Sequence, residues 1–277
     1  MLILDKKLPV EQDTIKIILG FDWHLSAKGC NTSGVKNIFK RLRENDDYYF
    51  IGGGDLFDMA FYQSVAKENG LNDEYRDMFL EETSTIPDFW EKKVLGFVSG
   101  NHEARLTRLL GMDFYNGLIP FKYRPHWKST SKIWVKDDFC IYDPISFILK
   151  VSWGSRLGEY RQYTQNIFVH HGKGTGALIG SKVYNTEKAD FIEGVDIVIM
   201  GHTHVKSIHN QQKLKFNSTS ATLMEEEKTY IIAGSQLRWR DYAEQKLLAP
   251  GGIGNPVLQL KGIGQSKVSV TIPEWIS

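Results

Sequence analysis

Only two cysteines occur in 277 residues, Cys30 and Cys140. They lie far apart, without the spacing that thiolate zinc ligands use, so neither a disulfide framework nor a structural thiolate site is expected. No apolar run approaches the roughly 20 residues that a membrane-spanning helix needs, and the run at Leu2-Ile-Leu4 is too short for a signal peptide. Neither sign of charge dominates: 34 Lys plus Arg against 33 Asp plus Glu give a formal +1. That balance neither announces a nucleic-acid binder nor excludes one, because a basic patch can hide in a neutral total. Repeats, linkers and low-complexity tracts are also missing, so residues 1–277 read as one domain. A reduced, cytoplasmic chain with no membrane partner is expected.

The chain does have the texture of an ordinary globular protein, 42% hydrophobic and 24% charged. Residues 14–21 read as a first core strand. A helix follows over 35–43, with Val35, Ile38, Phe39 and Leu42 on one face behind a cap at Asn31 or Thr32. Further strands are expected at 48–51, 93–98, 165–171 and 195–200, and strands alternating with helices make an α/β pattern. Residues 60–92 read as a solvated helical layer, clearest over 74–82, and 104–110 as a helix stopped at Gly111. Downstream, short strands are expected near Ser207, Leu214 and Tyr230 and over 267–272, with loops at 234–241 and 251–256. Residues 119–165 differ in texture, because Lys122, Arg124, His126, Lys128, Lys132 and Lys136 interleave with Phe121, Tyr123, Trp127 and Trp134. They read as a basic and aromatic β-rich insertion, either a platform for a phosphate-bearing ligand or the outer face of a sheet.

Six of the eight histidines fall at the ends of predicted strands, beside Asp or Gly, while His126 and His209 read as surface residues. In order the blocks are Asp22-x-His24, Gly54-Asp55-x-x-Asp58, Gly100-Asn101-His102-Glu103, His171-Gly172 and Gly201-His202-x-His204. If the chain stays extended past Gly201, His202 and His204 project from one side as half of a metal site; otherwise they are a pair in a surface loop. Oxygen and imidazole donors without thiolates suit manganese, iron or zinc rather than calcium. They outnumber what one ion can take, so two ions sharing a carboxylate is the economical arrangement. Gly172, Gly174, Gly176 and Gly180 match neither a P-loop nor a dinucleotide fingerprint, so a nucleotide-cradling loop is rejected.

Together and in this order, the five blocks resemble the calcineurin-like metallophosphoesterase superfamily over residues 14 to about 235. The texture around 100–106 is similar to its small bacterial and phage members. The resemblance implies an α/β fold, a four-layer α/β/β/α sandwich of two mixed sheets flanked by helices. It implies that Asp22, His24 and His204 hold one ion, that Asn101, His171 and His202 hold another, and that Asp55 bridges them. His171 rather than His170 is taken as the ligand because the family's histidine directly precedes the glycine; His170 should face the other way. Manganese is the first expectation, with iron or zinc as alternatives. The implied chemistry is in-line attack on phosphorus by a hydroxide bridging the ions. His102 would protonate the leaving oxygen and Asp58 would orient that imidazole. Asp58 also fits a helix N-cap, and Glu103 is assigned to the fold or to the support of the ligands rather than to the chemistry.

In the family's protein-phosphatase branch, arginines follow the second aspartate and precede the asparagine block; here Met59 and Ser99 stand there. Hydrolysis of a phosphodiester, in a nucleic acid or nucleotide, is therefore expected. A phosphomonoesterase or a non-catalytic metal-binding scaffold are the alternatives, and intact residues at all seven ligand positions argue against the scaffold. Arg105, Arg108, Lys173, Arg238 and Arg240 are candidate phosphate contacts, each also readable as a solvated charge.

Overall fold

A computed structural model describes residues 1–59, 73–124, 126–128, 133–135, 140–155, 162–173, 179–238, 252–262, 268–271 and 273. In chain order these form β1 (Leu2–Lys7), β2 (Thr14–Gly20), α1 (Thr32–Glu44), β3 (Tyr48–Gly52), α2 (Asp73–Ser84), β4 (Val94–Phe97), α3 (Glu103–Leu110), β5 (His126–Lys128) and β6 (Ile133–Val135). There follow β7 (Ser146–Trp153), β8 (Tyr163–His170), α4 (Ile179–Glu187), β9 (Ile197–Met200), β10 (Lys206–Asn217), β11 (Thr222–Ala233), β12 (Val257–Lys261) and β13 (Val268–Thr271). Two mixed sheets result, one ordered β13-β12-β2-β3-β4 and the other β1-β7-β8-β9-β11-β10. The parallel runs β2-β3-β4 and β8-β9-β11 bring their carboxyl ends to one edge of the stack, where the strand-end blocks of the sequence sit.

Alternation along the strands explains the layering. On β2, Ile15, Ile17 and Leu19 point one way and Ile18 the other. The first set joins Ile51 and Leu95 against Phe147, Leu149, Ile167, Ile197 and Ile231 of the larger sheet, all fully buried between the two. Ile18 instead faces α1, whose Val35, Ile38, Phe39 and Leu42 form the expected buried stripe. Phe39 meets Trp23 and Phe79 of α2 edge-on, at 5.8 and 5.5 Å between ring centroids. Asn31 caps α1, its Oδ1 accepting from the Gly34 amide at 3.3 Å. Beyond the larger sheet, Phe168, Val198 and Tyr230 pack with Ala189 and Ile192, just after α4. Helix, sheet, sheet and helix make the four layers.

The structure departs from the sequence reading locally. β1 was not anticipated: Leu2 and Leu4 are buried while Ile3 is 71% exposed, so a three-residue apolar run conceals an edge strand parallel to β7. β12 was hidden just after the loop ending at Pro256. The short strands near Ser207, Leu214 and Tyr230 are instead one antiparallel hairpin of two 12-residue strands, whose solvated outer half carries Glu225, Glu226 and Glu227 and so blurs the apolar pattern. The insertion at 119–165 loses its later part, since β7 lies inside the larger sheet between β1 and β8. β5 and β6 pair with each other outside both sheets; their side chains, with Lys132 and Lys136, lie outside the described residues. Among the described residues no helix is long and apolar enough to cross a membrane.

Candidate metal centre

The turns after β2 and β3 run side by side. The Asp22 amide donates to Gly54 O at 3.1 Å, His24 N to Asp55 O at 3.0 Å and Leu25 N to Leu56 O at 2.8 Å. Both turns take left-handed backbone to do so, with φ of 51° at Asp22, 50° at His24 and 51° at Asp55. His202 and His204 are left-handed too, at 68° and 55°. Of the two sequence alternatives, an extended chain past Gly201 does not hold: His202 and His204 reach their separate donor sets through a doubly left-handed turn, not through strand alternation. Five of the seven expected ligands thus sit in a region that L-residues rarely occupy, and Asp and His tolerate it better than β-branched residues. Gly54, at φ 85°, lets the next loop approach: a β-carbon there would lie 2.6 Å from Gly100 Cα.

The two aspartates divide their oxygens. Asp22 Oδ2 accepts from the His202 amide at 2.7 Å, while Oδ1 is buried with no hydrogen bond, 3.4 Å from His204 Nε2 and 3.9 Å from His24 Nε2. Those two Nε2 atoms lie 3.0 Å apart. Asp55 Oδ1 accepts from the His102 amide at 2.7 Å, while Oδ2 faces His171 Nε2 at 3.2 Å. Asn101 Oδ1 stands 3.2 Å from His171 Nε2 and 2.7 Å from His202 Nδ1. His171 Nδ1 donates to Gly53 O at 2.9 Å, which orients Nε2 into the site. His170 turns away, its Nδ1 accepting from the Gly172 amide at 2.7 Å.

Two convergent sets result, Asp22 with His24 and His204, and Asp55 with His171 and His202. Asn101 adds an oxygen to the second. An orphaned buried carboxylate oxygen facing two imidazole nitrogens is a donor set that a divalent cation of borderline character satisfies. A third convergence, His24 with Asp58 and His102, lies alongside.

Electrostatics follow from burial and neighbours. Burial holds the His24 imidazole well below its usual range, and the adjacent histidines push the same way. Burial also opposes protonation of His171, but the Asp55 carboxylate overcomes it and lifts that pKa to about 10. Asp55 correspondingly falls well below the carboxylate range despite its burial. A cation and that imidazolium proton compete for the same nitrogen. His102 Nδ1 donates to Asp58 Oδ1 at 2.7 Å, and the Arg105 guanidinium lies 3.2–3.3 Å from both ring nitrogens. Burial lowers the His102 pKa, but the Asp58 hydrogen bond and the Asp55 charge outweigh it, and the net shift is upward.

The supporting groups were only partly visible in the sequence. Glu103, fully buried, accepts from the amides of Asp55 (2.9 Å), Gly100 (3.0 Å) and Phe57 (3.2 Å) and from Tyr115 Oη (2.9 Å). It ties the loop after β3 to that after β4, the role in the fold expected of it, and burial pushes its pKa up to about 7. The stretch at 234–241, read merely as a loop, supports the Asp22 turn: Ser235 Oγ donates to Asp22 O at 2.7 Å and Gln236 N to the same oxygen at 3.1 Å. Asn255 accepts from Trp23 Nε1 at 2.8 Å and donates to Phe21 O and Ala233 O. No motif spacing marks these residues, because they act through backbone oxygens. Of the candidate phosphate contacts, Arg105 is at the centre. Arg108, Lys173 and Arg238 are solvent-exposed, and Arg240 lies outside the described residues.

A family model described as calcineurin-like phosphoesterase matches residues 22–206, about two thirds of the chain. The chain belongs to that family. That family membership indicates a phosphoester hydrolase, and the His/Asp clusters are groups that could hold a metal ion. No curated protein sequence matches this chain significantly. Among solved structures it is similar to a metallophosphoesterase from Sphaerobacter thermophilus, at 14% identity over 94% of this chain and 88% of that one, with a TM-score of 0.41. It is also similar to zinc-complexed Vps29 from Entamoeba histolytica, at 12% identity, 94% and 99% coverage and a TM-score of 0.37. At such scores membership rests on the family match alone.

Glu103→Gln keeps the shape but puts an amide donor where backbone N–H groups already point. It is expected to lower stability by about 1–3 kcal/mol in urea unfolding. An unchanged midpoint would remove Glu103 from the support of the site.

Proposed function

We propose that this chain hydrolyses phosphodiesters, with a nucleic acid or nucleotide as substrate, using two divalent cations. Asp22, His24 and His204 would hold one, Asn101, His171 and His202 the other, with Asp55 between them. Manganese suits these oxygen and nitrogen donors, as do iron and zinc. When bound, such ions acidify solvent and neutralise charge on phosphoryl oxygens.

The remaining work falls to the chain's own groups. His102 gives a proton from Nε2 to the leaving oxygen, a role worth roughly 10²–10⁴-fold. Asp58 at 2.7 Å fixes the ring through Nδ1 and favours its charged form. Arg105 lies against that ring, where it meets an anionic substrate from the solvent side.

The observation that supports a diester over a monoester is that, among the described residues, a single arginine touches the ligand cluster. Met59 is 1% exposed and belongs to the apolar core, and Ser99 is uncharged, so neither position brings an arginine to phosphate. Among the described candidates for phosphate contact, Arg105 alone touches the cluster. A phosphomonoester, with a second pKa of about 6, presents nearly two charges at neutral pH, whereas a diester presents one. One guanidinium matches the diester.

With manganese supplied, turnover of bis-p-nitrophenyl phosphate is expected to exceed that of p-nitrophenyl phosphate. Faster monoester cleavage would overturn the diester reading, and hydrolysis of neither would favour a metal-binding scaffold. His102→Ala is expected to bind metal normally yet lose about 10²–10⁴-fold on a diester with a poor leaving group. Full activity there would dismiss His102 as the acid.

A further inference from the structure

Beside the metal centre lies a small open cleft that the chemistry above leaves unused. It shares a wall with the centre, since Gly172 and Lys173 follow His171, and Gly201 and Thr203 flank His202. The opposite wall is α4, whose Lys182, Asn185 and Thr186 are spaced i, i+3 and i+4 and so share one helix face.

Met200 and Ile232 make part of the lining apolar, and the other described side chains on its walls bring hydrogen-bond donors. Lys173 and Lys182 bring ammonium groups, and no carboxylate is among the described lining residues. Lys182 is half-buried on α4 rather than free in solvent. Asn185 already uses its side-chain oxygen, accepting from Lys188 Nζ at 2.7 Å, which leaves its amide N–H groups to donate. Thr203 Oγ1 is buried without a hydrogen-bond partner, between two expected metal ligands. Thr186, by contrast, is spent on Val183 O at 2.6 Å. Two ammonium groups, an amide and an unsatisfied hydroxyl suit an oxyanion and repel a cation.

Resting on the phosphodiesterase reading, we propose that this cleft binds a second phosphoryl group of the substrate, adjacent to the one cleaved. Substrates with neighbouring phosphates, as in a nucleic-acid strand or a nucleotide anhydride, are thereby selected over diesters with a single phosphate.

Lys182→Gln separates this inference from the reading it rests on. Release of p-nitrophenol is followed from bis-p-nitrophenyl phosphate and from thymidine 5′-(p-nitrophenyl phosphate). Two further esters carry a second phosphate, one placed at the 3′ position as in a strand, the other in a 5′-diphosphate anhydride. The wild type is expected to prefer at least one of these over the single-phosphate nucleotide by about tenfold in kcat/KM, chiefly through KM. Which one it prefers distinguishes strand from anhydride. Lys182→Gln should lose that preference while keeping its rate on bis-p-nitrophenyl phosphate. No preference in the wild type, or a preference surviving in Lys182→Gln, overturns the proposal. If bis-p-nitrophenyl phosphate is not cleaved at all, the phosphodiesterase reading fails. Binding of inorganic phosphate to the two proteins then decides the cleft: affinity about tenfold weaker in Lys182→Gln supports it, and equal affinity overturns it.

Discussion

Two buried carboxylates, Asp22 and Asp55, each spend one oxygen on the fold and leave the other to the site. The first oxygen of each caps a backbone amide of a different strand-end loop, His202 for Asp22 and His102 for Asp55, both at 2.7 Å. The second faces imidazoles. Because one group performs both tasks, the loops cannot be placed without also aiming the ligands. Asp22 ties the loop after β2 to that after β9 and Asp55 ties the loop after β3 to that after β4, and Glu103 repeats the device between the turns after β3 and β4.

Holding this arrangement is costly. Non-glycine residues in left-handed or similarly strained backbone cost about 1–3 kcal/mol each, and five sit here, against a net stability of about 5–15 kcal/mol for a typical domain. The buried His24 imidazole 3.0 Å from that of the half-exposed His204, and a carboxylate oxygen without a donor, add to the load. The four packed layers, with their continuous apolar core between the sheets, are what keep the strained loops in register. A bound cation would relieve the electrostatic part, since it supplies the charge that the converging donors lack.

Much of this was legible in the sequence. The runs Thr14-Ile-Lys-Ile-Ile and Ile197-Val-Ile-Met are buried strands ending in ligand-type residues, and five such blocks in order placed the chain in its family before any coordinates. The choice of His171 over His170 came from the resemblance, and strand alternation added only that the two residues face opposite ways, as their hydrogen bonds show. Left-handed turns at Asp22, His24, Asp55, His202 and His204 were not, since no glycine announces them and Asp and His accept that backbone silently. Ser235 and Asn255 act on carbonyl oxygens of residues more than 200 positions away, a contact that no local pattern encodes. β1 failed for want of length, and the outer half of the β10–β11 hairpin for want of burial on either face.

The site therefore sets strained loops on a packed four-layer scaffold, with Arg105 at its centre and a cleft carrying Lys173 and Lys182 at its flank. Everything rests on the two donor sets being places for divalent ions. Calorimetric titration of the metal-stripped chain with Mn²⁺, for wild type and Asp22→Asn, tests that most directly. The account predicts two ions per chain in the wild type and loss or marked weakening of one in the variant. Failure of the wild type to bind Mn²⁺, or identical binding by both proteins, would contradict it.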